Sequence, residues 1–298
     1  MNKPDFFIVG APKCGTTALY EYLRQHPDVY LPAIMKEPNY FNTDMRLAGP
    51  RMSAARYGEL FASAAHQKRI GEASVWYLYS KNAAQEILKY NPLARIIILL
   101  RNPADMLYSL YQELFIGADE NLADFTNALE AESERKKHRT KHGGYLPVEC
   151  LFYREIGAYS EQVRRYVDAF GRDRIHVILF DDLKDNPAGV YREVLKFLDV
   201  PEQQLPEFKI INPSKMVRSM AVHRLLYYSP QGVRRMVRAL LPETTRWKIR
   251  MFIRSLNLRQ EKPRPLNPAL RMQLLREFAS DLQALSGIIG RDLSHWSR

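Results

Sequence analysis

Short, strongly apolar runs separated by stretches of helical period set the rhythm of this chain. Residues 5–9 end in aromatic and β-branched positions, residues 94–100 (ARIIILL) are nearly all apolar, and residues 174–180 (RIHVILF) repeat that character. Runs of this length and composition predict strands buried on both faces of a parallel sheet. Between them, residues 17–25, 81–90, 158–170 and 191–198 read as helices, of which 158–170 is amphipathic. Residues 29–31 form a short apolar run before Pro32. Residues 51–68 read as a helix of mixed character, and residues 69–74 lead into 75–79 (VWYLY), which predicts a second strand and an aromatic wall. The charged stretch 119–142 predicts an exposed helix end and a solvated lid. The alternation predicts an α/β fold in three layers, a doubly wound central parallel sheet flanked by helices.

The first strand runs into Gly10, Pro12, Lys13, Cys14, Gly15, Thr16 and Thr17 before a helix begins. Two glycines allow backbone N–H groups to turn inward, and a helix N-terminus adds the positive end of its dipole, so the loop suits a phosphate. An ordinary strand-to-helix turn with an incidental lysine is the plainer alternative. Gly10, Gly15 and Thr17 match the spacing G-x-x-x-x-G-K-[ST], but Thr16 stands where nucleotide hydrolases place lysine. The basic residue is Lys13, inside the loop. ATP or GTP hydrolysis is therefore disfavoured, and a small-molecule kinase of P-loop type is a rival reading.

Composition places the chain among globular proteins: 298 residues, 46% of them hydrophobic. No apolar run is long enough to span a bilayer, and the first strand begins within five residues of Met1, which together predict a cytoplasmic protein. Cys14 and Cys150 lie far apart with no metal-ligand spacing near either, so neither a disulfide framework nor a metal site is expected. For Cys14 two readings stand, a thiolate favoured by Lys13 and the helix start, or a small residue that fits the loop.

The net charge of +11 has one address. Residues 215–264 hold thirteen Lys and Arg against Glu243 and Glu261, which leaves the remainder formally neutral. Arg positions there alternate with apolar ones between Pro230 and Pro242 and beyond. The segment is read as a basic helical insertion in a single domain spanning residues 1–298. Its candidate partners are an anionic membrane surface, which would make the protein peripheral to a membrane, an acidic glycan or another subunit; solvated helices beside a nucleotide site are the plain reading. Nucleic acid is not expected, because no reader motif accompanies the charge.

Candidate chemistry gathers around the strand ends. Arg101 follows the apolar run 94–100, at the edge where open α/β sheets bind ligands, so it should share an edge with residues 10–17. Asn102 and Pro103 are suited to start a helix, and Ser109 lies about two turns along it, placed to join Arg101 on one phosphate. Glu37, between Lys36 and Pro38 and ahead of Tyr40 and Phe41, is the best general-base candidate; a surface Lys–Glu pair is the alternative.

Residues 10–19 (GAPKCGTTAL) resemble the 5′-phosphosulfate loop of PAPS-dependent sulfotransferases, and Leu100 to Pro103 continuing to Ser109 resembles their 3′-phosphate motif. Lys36-Glu37-Pro38 with Tyr40-Phe41, Gly71-Glu72, Asp181-Asp182-Leu183, Phe197-Leu198 and residues 265–296 extend the likeness towards bacterial-type members near the heparan sulfate branch. It covers most of the chain and is weakest over residues 219–260.

The resemblance implies a P-loop-like fold and transfer of a sulfuryl group from PAPS, which becomes PAP, to an acceptor hydroxyl, with a carbohydrate or glycolipid favoured. By position it assigns Glu37 as base and Lys13 to the phosphosulfate bridge. Backbone N–H groups of Cys14, Gly15, Thr16, Thr17 and Ala18 would hold the 5′-phosphate, and Arg101 with Ser109 the 3′-phosphate. Lys262 and Arg264 would form a basic loop on the nucleotide, with Lys215 and Arg218 competing for that place. Ala73 departs from the pattern, since several relatives carry lysine there, and Lys36 is the candidate substitute. A nucleotide- or membrane-binding module without turnover is the remaining alternative.

Overall fold

A computed structural model of the chain describes residues 2–45, 50–139, 144–203, 205–208, 215–228, 232, 235, 242–260 and 265–297. Strands β1 (Phe6–Gly10), β2 (Val29–Tyr30), β3 (Arg69–Ala73), β4 (Arg95–Leu100) and β5 (Ile175–Leu179) form one sheet in the order β2-β3-β1-β4-β5. Every pairing in it is parallel. The predicted α/β layering is thus observed.

Phe6 to Val9 and Ile96 to Leu100 are fully buried, as expected for strands covered on both faces. Burying one such side chain contributes about 1.5–3 kcal/mol, so these central strands anchor the core. Because β3 and β4 flank β1, the chain leaves β1 at a switch point, and the crevice beyond its carboxyl end is where such sheets hold ligands.

The helices α1 (Thr16–Leu23), α2 (Ala54–Glu59), α3 (Ala83–Tyr90), α4 (Pro103–Ile116), α5 (Phe125–Glu130), α6 (Glu132–His138), α7 (Tyr153–Gly157), α8 (Tyr159–Phe170), α9 (Phe180–Asp185) and α10 (Pro187–Leu198) follow or precede these strands. Beyond them come β6 (Lys215–Val217), α11 (Met220–Tyr228), α12 (Glu243–Asn257), β7 (Leu258–Gln260), α13 (Pro268–Glu277) and α14 (Ala279–Ile289). Strands β6 and β7 pair antiparallel and bring the two ends of the basic segment together.

Three expectations need correction. The helix predicted over 51–68 is confined to Ala54–Glu59, capped by Ser53 through the amide of Arg56. The strand near residue 70 is Arg69–Ala73, while residues 75–79 are a buried turn. That turn folds over the end of β1, with Leu78 N donating to the Val9 carbonyl at 2.8 Å and Ser74 N to Ile8 at 3.1 Å. The last carbonyls of β1 on this side are thus taken by Ser74 and the turn after it, which the strand-like composition of 75–79 conceals.

The stretch 119–142 is not simply a solvated lid. Arg135 donates to both oxygens of the buried Glu120 carboxylate at 2.7 and 2.8 Å, and Tyr153 Oη donates to the same group at 2.8 Å. Two charges removed from water need this full set of donors.

The C-terminal helices close the crevice from behind. Asn102 caps α4 by accepting from Ala104 N at 3.1 Å and, through Nδ2, donates to the Trp296 carbonyl at 2.8 Å. Trp296 Nε1 donates to Asp181 at 2.7 Å, and Asp281 accepts from the amides of Tyr159 and Ser160 at the start of α8. Asn102→Ala removes a cap and leaves a buried carbonyl unpaired, a predicted loss of about 1–3 kcal/mol that a denaturant titration would read as a lower midpoint.

Candidate active site

The turn from β1 into α1 is shaped by two positions that only glycine fits. Gly10 has φ 144°, and a Cβ there would sit 2.6 Å from the Val75 carbonyl oxygen. Gly15 has φ 90°, and its Cβ would meet the Leu183 side chain at 2.7 Å. Lys13 adopts the left-handed region as well, at φ 62°. Alternation of this kind turns successive amides towards a common centre, the geometry of an anion nest. Helix α1 starts with no side-chain cap and no acidic residue in its first turn, so its dipole faces the nest uncompensated.

Basic groups converge on this point from three elements. Arg101, at the end of β4, donates to the Lys13 carbonyl at 3.5 Å and lies 4.7 Å from the centroid of the Phe180 ring. Phosphate loop and Arg101 therefore share the carboxyl edge, as predicted. Lys36 arrives from the loop after β2: its Nζ donates to Thr17 Oγ1 at 2.8 Å, Thr16 Oγ1 at 3.4 Å and Glu37 Oε1 at 3.1 Å. All three ammonium protons are thereby directed, two onto the start of α1 and one onto the candidate base. Glu37 stands partly exposed beside the nest.

Lys13 is ion-paired with Glu113 of α4. Ser109 lies one turn before Glu113, so the two occupy the same face of α4. The predicted group Lys13, Cys14, Gly15, Thr16, Thr17, Ala18 and Arg101 is thus assembled, with Glu37 and Ser109 at its margins. Lys262 and Arg264 lie outside the described residues. For Arg218 the structure shows an exposed residue whose amide donates to the Asn257 carbonyl at 2.8 Å.

Cys14 resolves in favour of the small-residue reading. It is fully buried, its thiol contacts the Pro12 carbonyl at 3.4 Å, and burial pushes its pKa up to about 12 against the opposing pull of Arg101 and Lys13. Desolvation outweighs the two cations, and the reactive-thiolate reading is withdrawn.

Two carboxylates were missed by sequence reasoning. Glu113 is marked only by its four-residue spacing from Ser109. Glu72 was noted as a motif residue, but its place in the site comes from contacts. Its Oε1 accepts from Ser74 Oγ at 2.8 Å and its Oε2 from Tyr57 Oη at 2.5 Å. Ser74 Oγ in turn accepts from Asn39 N at 3.1 Å, and Tyr77 Oη accepts from Tyr40 N at 2.8 Å and Phe41 N at 3.3 Å. Tyr77 also hydrogen-bonds Glu72. A buried carboxyl thus steers two hydroxyls so that their lone pairs face the loop that follows Lys36 and Glu37. Tyr40 stacks on Tyr57, centroids 4.2 Å apart, and fixes the loop from the other side.

Residues 3–216 match the family model described as "Sulfotransferase domain". A crystal structure of a sulfotransferase from Alicyclobacillus acidocaldarius superposes with a TM-score of 0.74 at 31% identity, covering 100% of both chains. A bifunctional heparan sulfate N-deacetylase/N-sulfotransferase 1 of Caenorhabditis briggsae is 27% identical over 226 residues, 71% of this chain and 24% of the relative. Human carbohydrate sulfotransferase 15 is 27% identical over 252 residues, 66% of this chain and 44% of the relative. The chain therefore spans less than half the length of these curated relatives.

Burial raises the Glu72 carboxyl from its ordinary 4.5 to about 7, against the lowering effect of the Tyr57, Ser74 and Tyr77 hydroxyls. Between those pH values the folded chain holds a proton that the unfolded chain has released. This group's contribution to stability is accordingly complete below pH 4.5 and lost as pH rises through about 7. The whole span is worth roughly 3 kcal/mol at about 1.36 kcal/mol per pKa unit. Glu72→Gln, which cannot ionise, is predicted to flatten that part of the stability curve, measured by denaturant unfolding near about pH 5 and about pH 8. An unchanged difference between the two would refute the assignment.

An anion nest built from an uncapped helix start, Lys13 and Arg101, matched by the family model over most of its length, places this chain in the sulfotransferase domain family.

Proposed function

We propose that the chain transfers a sulfuryl group from PAPS to the hydroxyl of a carbohydrate or glycolipid. The observation that carries this reading is the convergence of Lys13, Arg101 and Lys36 on the uncapped start of α1, with Glu37 hydrogen-bonded to Lys36. The curated relatives named for carbohydrate and heparan sulfate transfer favour a glycan acceptor.

The cradle suits the donor. Amides from Cys14 to Ala18 would hold the 5′-phosphate, and Arg101 with Ser109 the 3′-phosphate, while the Phe180 ring keeps the Arg101 guanidinium in place. When bound, the donor supplies a sulfuryl group whose bond to the 5′-phosphate oxygen breaks as its bond to the acceptor oxygen forms. Glu37 takes the acceptor proton, and Lys13 offsets charge that develops on the phosphate side.

Lys36 fills two needs. It brings positive charge to the site although Ala73 stands where several relatives carry lysine. Its ammonium also lies on the Thr17 hydroxyl, the group that in P-loop nucleotide hydrolases binds magnesium. A cation already seated there favours a donor reaction without that ion, and it weighs against the kinase reading.

Glu37→Gln is predicted to lower turnover by about 10²- to 10⁴-fold while PAP binding, measured by calorimetry, stays near the wild-type value. Arg101→Ala should instead weaken PAP binding. Full turnover in the glutamine variant would remove Glu37 from the mechanism, and magnesium-dependent ATP turnover in place of PAPS turnover would reverse the reading. Because Lys13 must exchange Glu113 for the donor, Glu113→Gln should tighten PAP binding by at most about fivefold, the equivalent of an exposed ion pair of ~1 kcal/mol. Weaker binding in that variant would mean that Glu113 supports the site.

A further inference from the structure

Helix α12 has its polar and apolar sides arranged in an unusual way. Asn257 turns inward, where its side chain bonds to the backbone of Ser219, and Ile253 and Arg254 are half-buried. The opposite side presents Trp247 at 62% exposure, Phe252 at 64% and Leu256 at 58%, with Met251 between them. At 100° per residue these four fall within one half of the helix surface, with Lys248 among them. A soluble protein that leaves two aromatic and two long aliphatic side chains open along one helix face presents a surface for contact.

The charge around that face is of a single sign. Residues 215–260 contain eleven Lys and Arg and a single carboxylate, Glu243. Lys248 is exposed within that face, Arg250 is exposed on the other side of α12, and Arg218 and Arg235 are exposed elsewhere in the segment. An apolar outer face bordered by cations is the pattern of a helix that lies in a membrane interface, its apolar side among acyl chains and its cations at the headgroups. An acidic glycan would satisfy the cations but has nothing to offer Leu256, Met251 and Phe252. Hydrocarbon does.

We propose that α12 is a peripheral docking surface for an anionic lipid bilayer, entered by Trp247, Met251, Phe252 and Leu256 and held by the basic residues beside them. The surface joins the catalytic region through α4: His223 of α11, which packs with α12, stacks on Phe115 at 5.1 Å. Docking would therefore place the crevice close to the bilayer.

The test uses the full chain and sedimentation with vesicles of phosphatidylcholine alone or mixed with phosphatidylglycerol. The protein is expected to pellet with the mixed vesicles and stay in solution with the neutral ones, and raised salt should release it. Trp247→Ser with Phe252→Ser, and separately Lys248→Glu with Arg250→Glu, should each weaken pelleting by about tenfold or more. Both pairs are exposed on α12, outside the nest, so their melting temperature and PAP binding should match wild type.

Failure to bind mixed vesicles, or binding indifferent to both pairs of substitutions, would overturn the proposal. So would retention on heparin without vesicle binding, which would assign the surface to an acidic glycan. A dimer in sedimentation velocity that the serine pair dissolves would assign it to a second copy of the chain. None of these outcomes bears on sulfuryl transfer, which the substitutions at Glu37 and Arg101 test separately.

Discussion

The first turn of α1 has backbone N–H groups that no carbonyl of the helix can accept, and Gly15 at the cap has no side chain to offer them. Much of the site answers to that condition. Gly10 and Gly15 let the backbone close around the same point, and Leu183 and Val75 press on both glycines so that a side chain at either would be expelled. Three cations stand around the opening, although mutual repulsion would ordinarily spread them apart. Glu113 and Glu37 hold two of them in place, and stacking on Phe180 holds the third. An anionic ligand would complete what these groups only partly balance.

The position of Glu37 depends on a layer beneath it. Its loop has little regular structure, yet the amides of Asn39, Tyr40 and Phe41 are all accepted by hydroxyls, those of Ser74 and Tyr77. Hydroxyls can turn either way, and the buried Glu72 carboxyl directs them. A charge in such a place is expensive, which is why burial raises its pKa so far. Its hydroxyl partners in turn hold the loop that follows Glu37.

The basic segment is tied to the same framework through a different element. Helix α4 carries Glu113 to Lys13 and Phe115 to His223, so one helix joins the anion site to the charged segment. Separation of the chain's excess charge into this region leaves the catalytic domain close to neutral. The cations of the nest therefore act locally, through short contacts, with little help from a long-range field.

The strand pattern, the parallel sheet, the glycine turn after β1 and the place of Arg101 beside it were legible in the amino-acid sequence. Buried strands need continuous apolar runs, and a nest needs glycine at particular places, so both leave local marks. The family likeness was legible for the same reason, since its motifs are short and contiguous. Contacts between distant residues leave no such mark. Tertiary structure alone decided that Lys36 lies on the Thr17 hydroxyl, that Glu113 holds Lys13 and that Glu72 supports the loop after Glu37. It also made residues 75–79 a turn in spite of their strand-like composition, because the end of β1 needed its hydrogen bonds taken there. Burial decided between the two readings of Cys14, for the sequence placed Lys13 and a helix start near the sulfur but carried no measure of the water excluded from it.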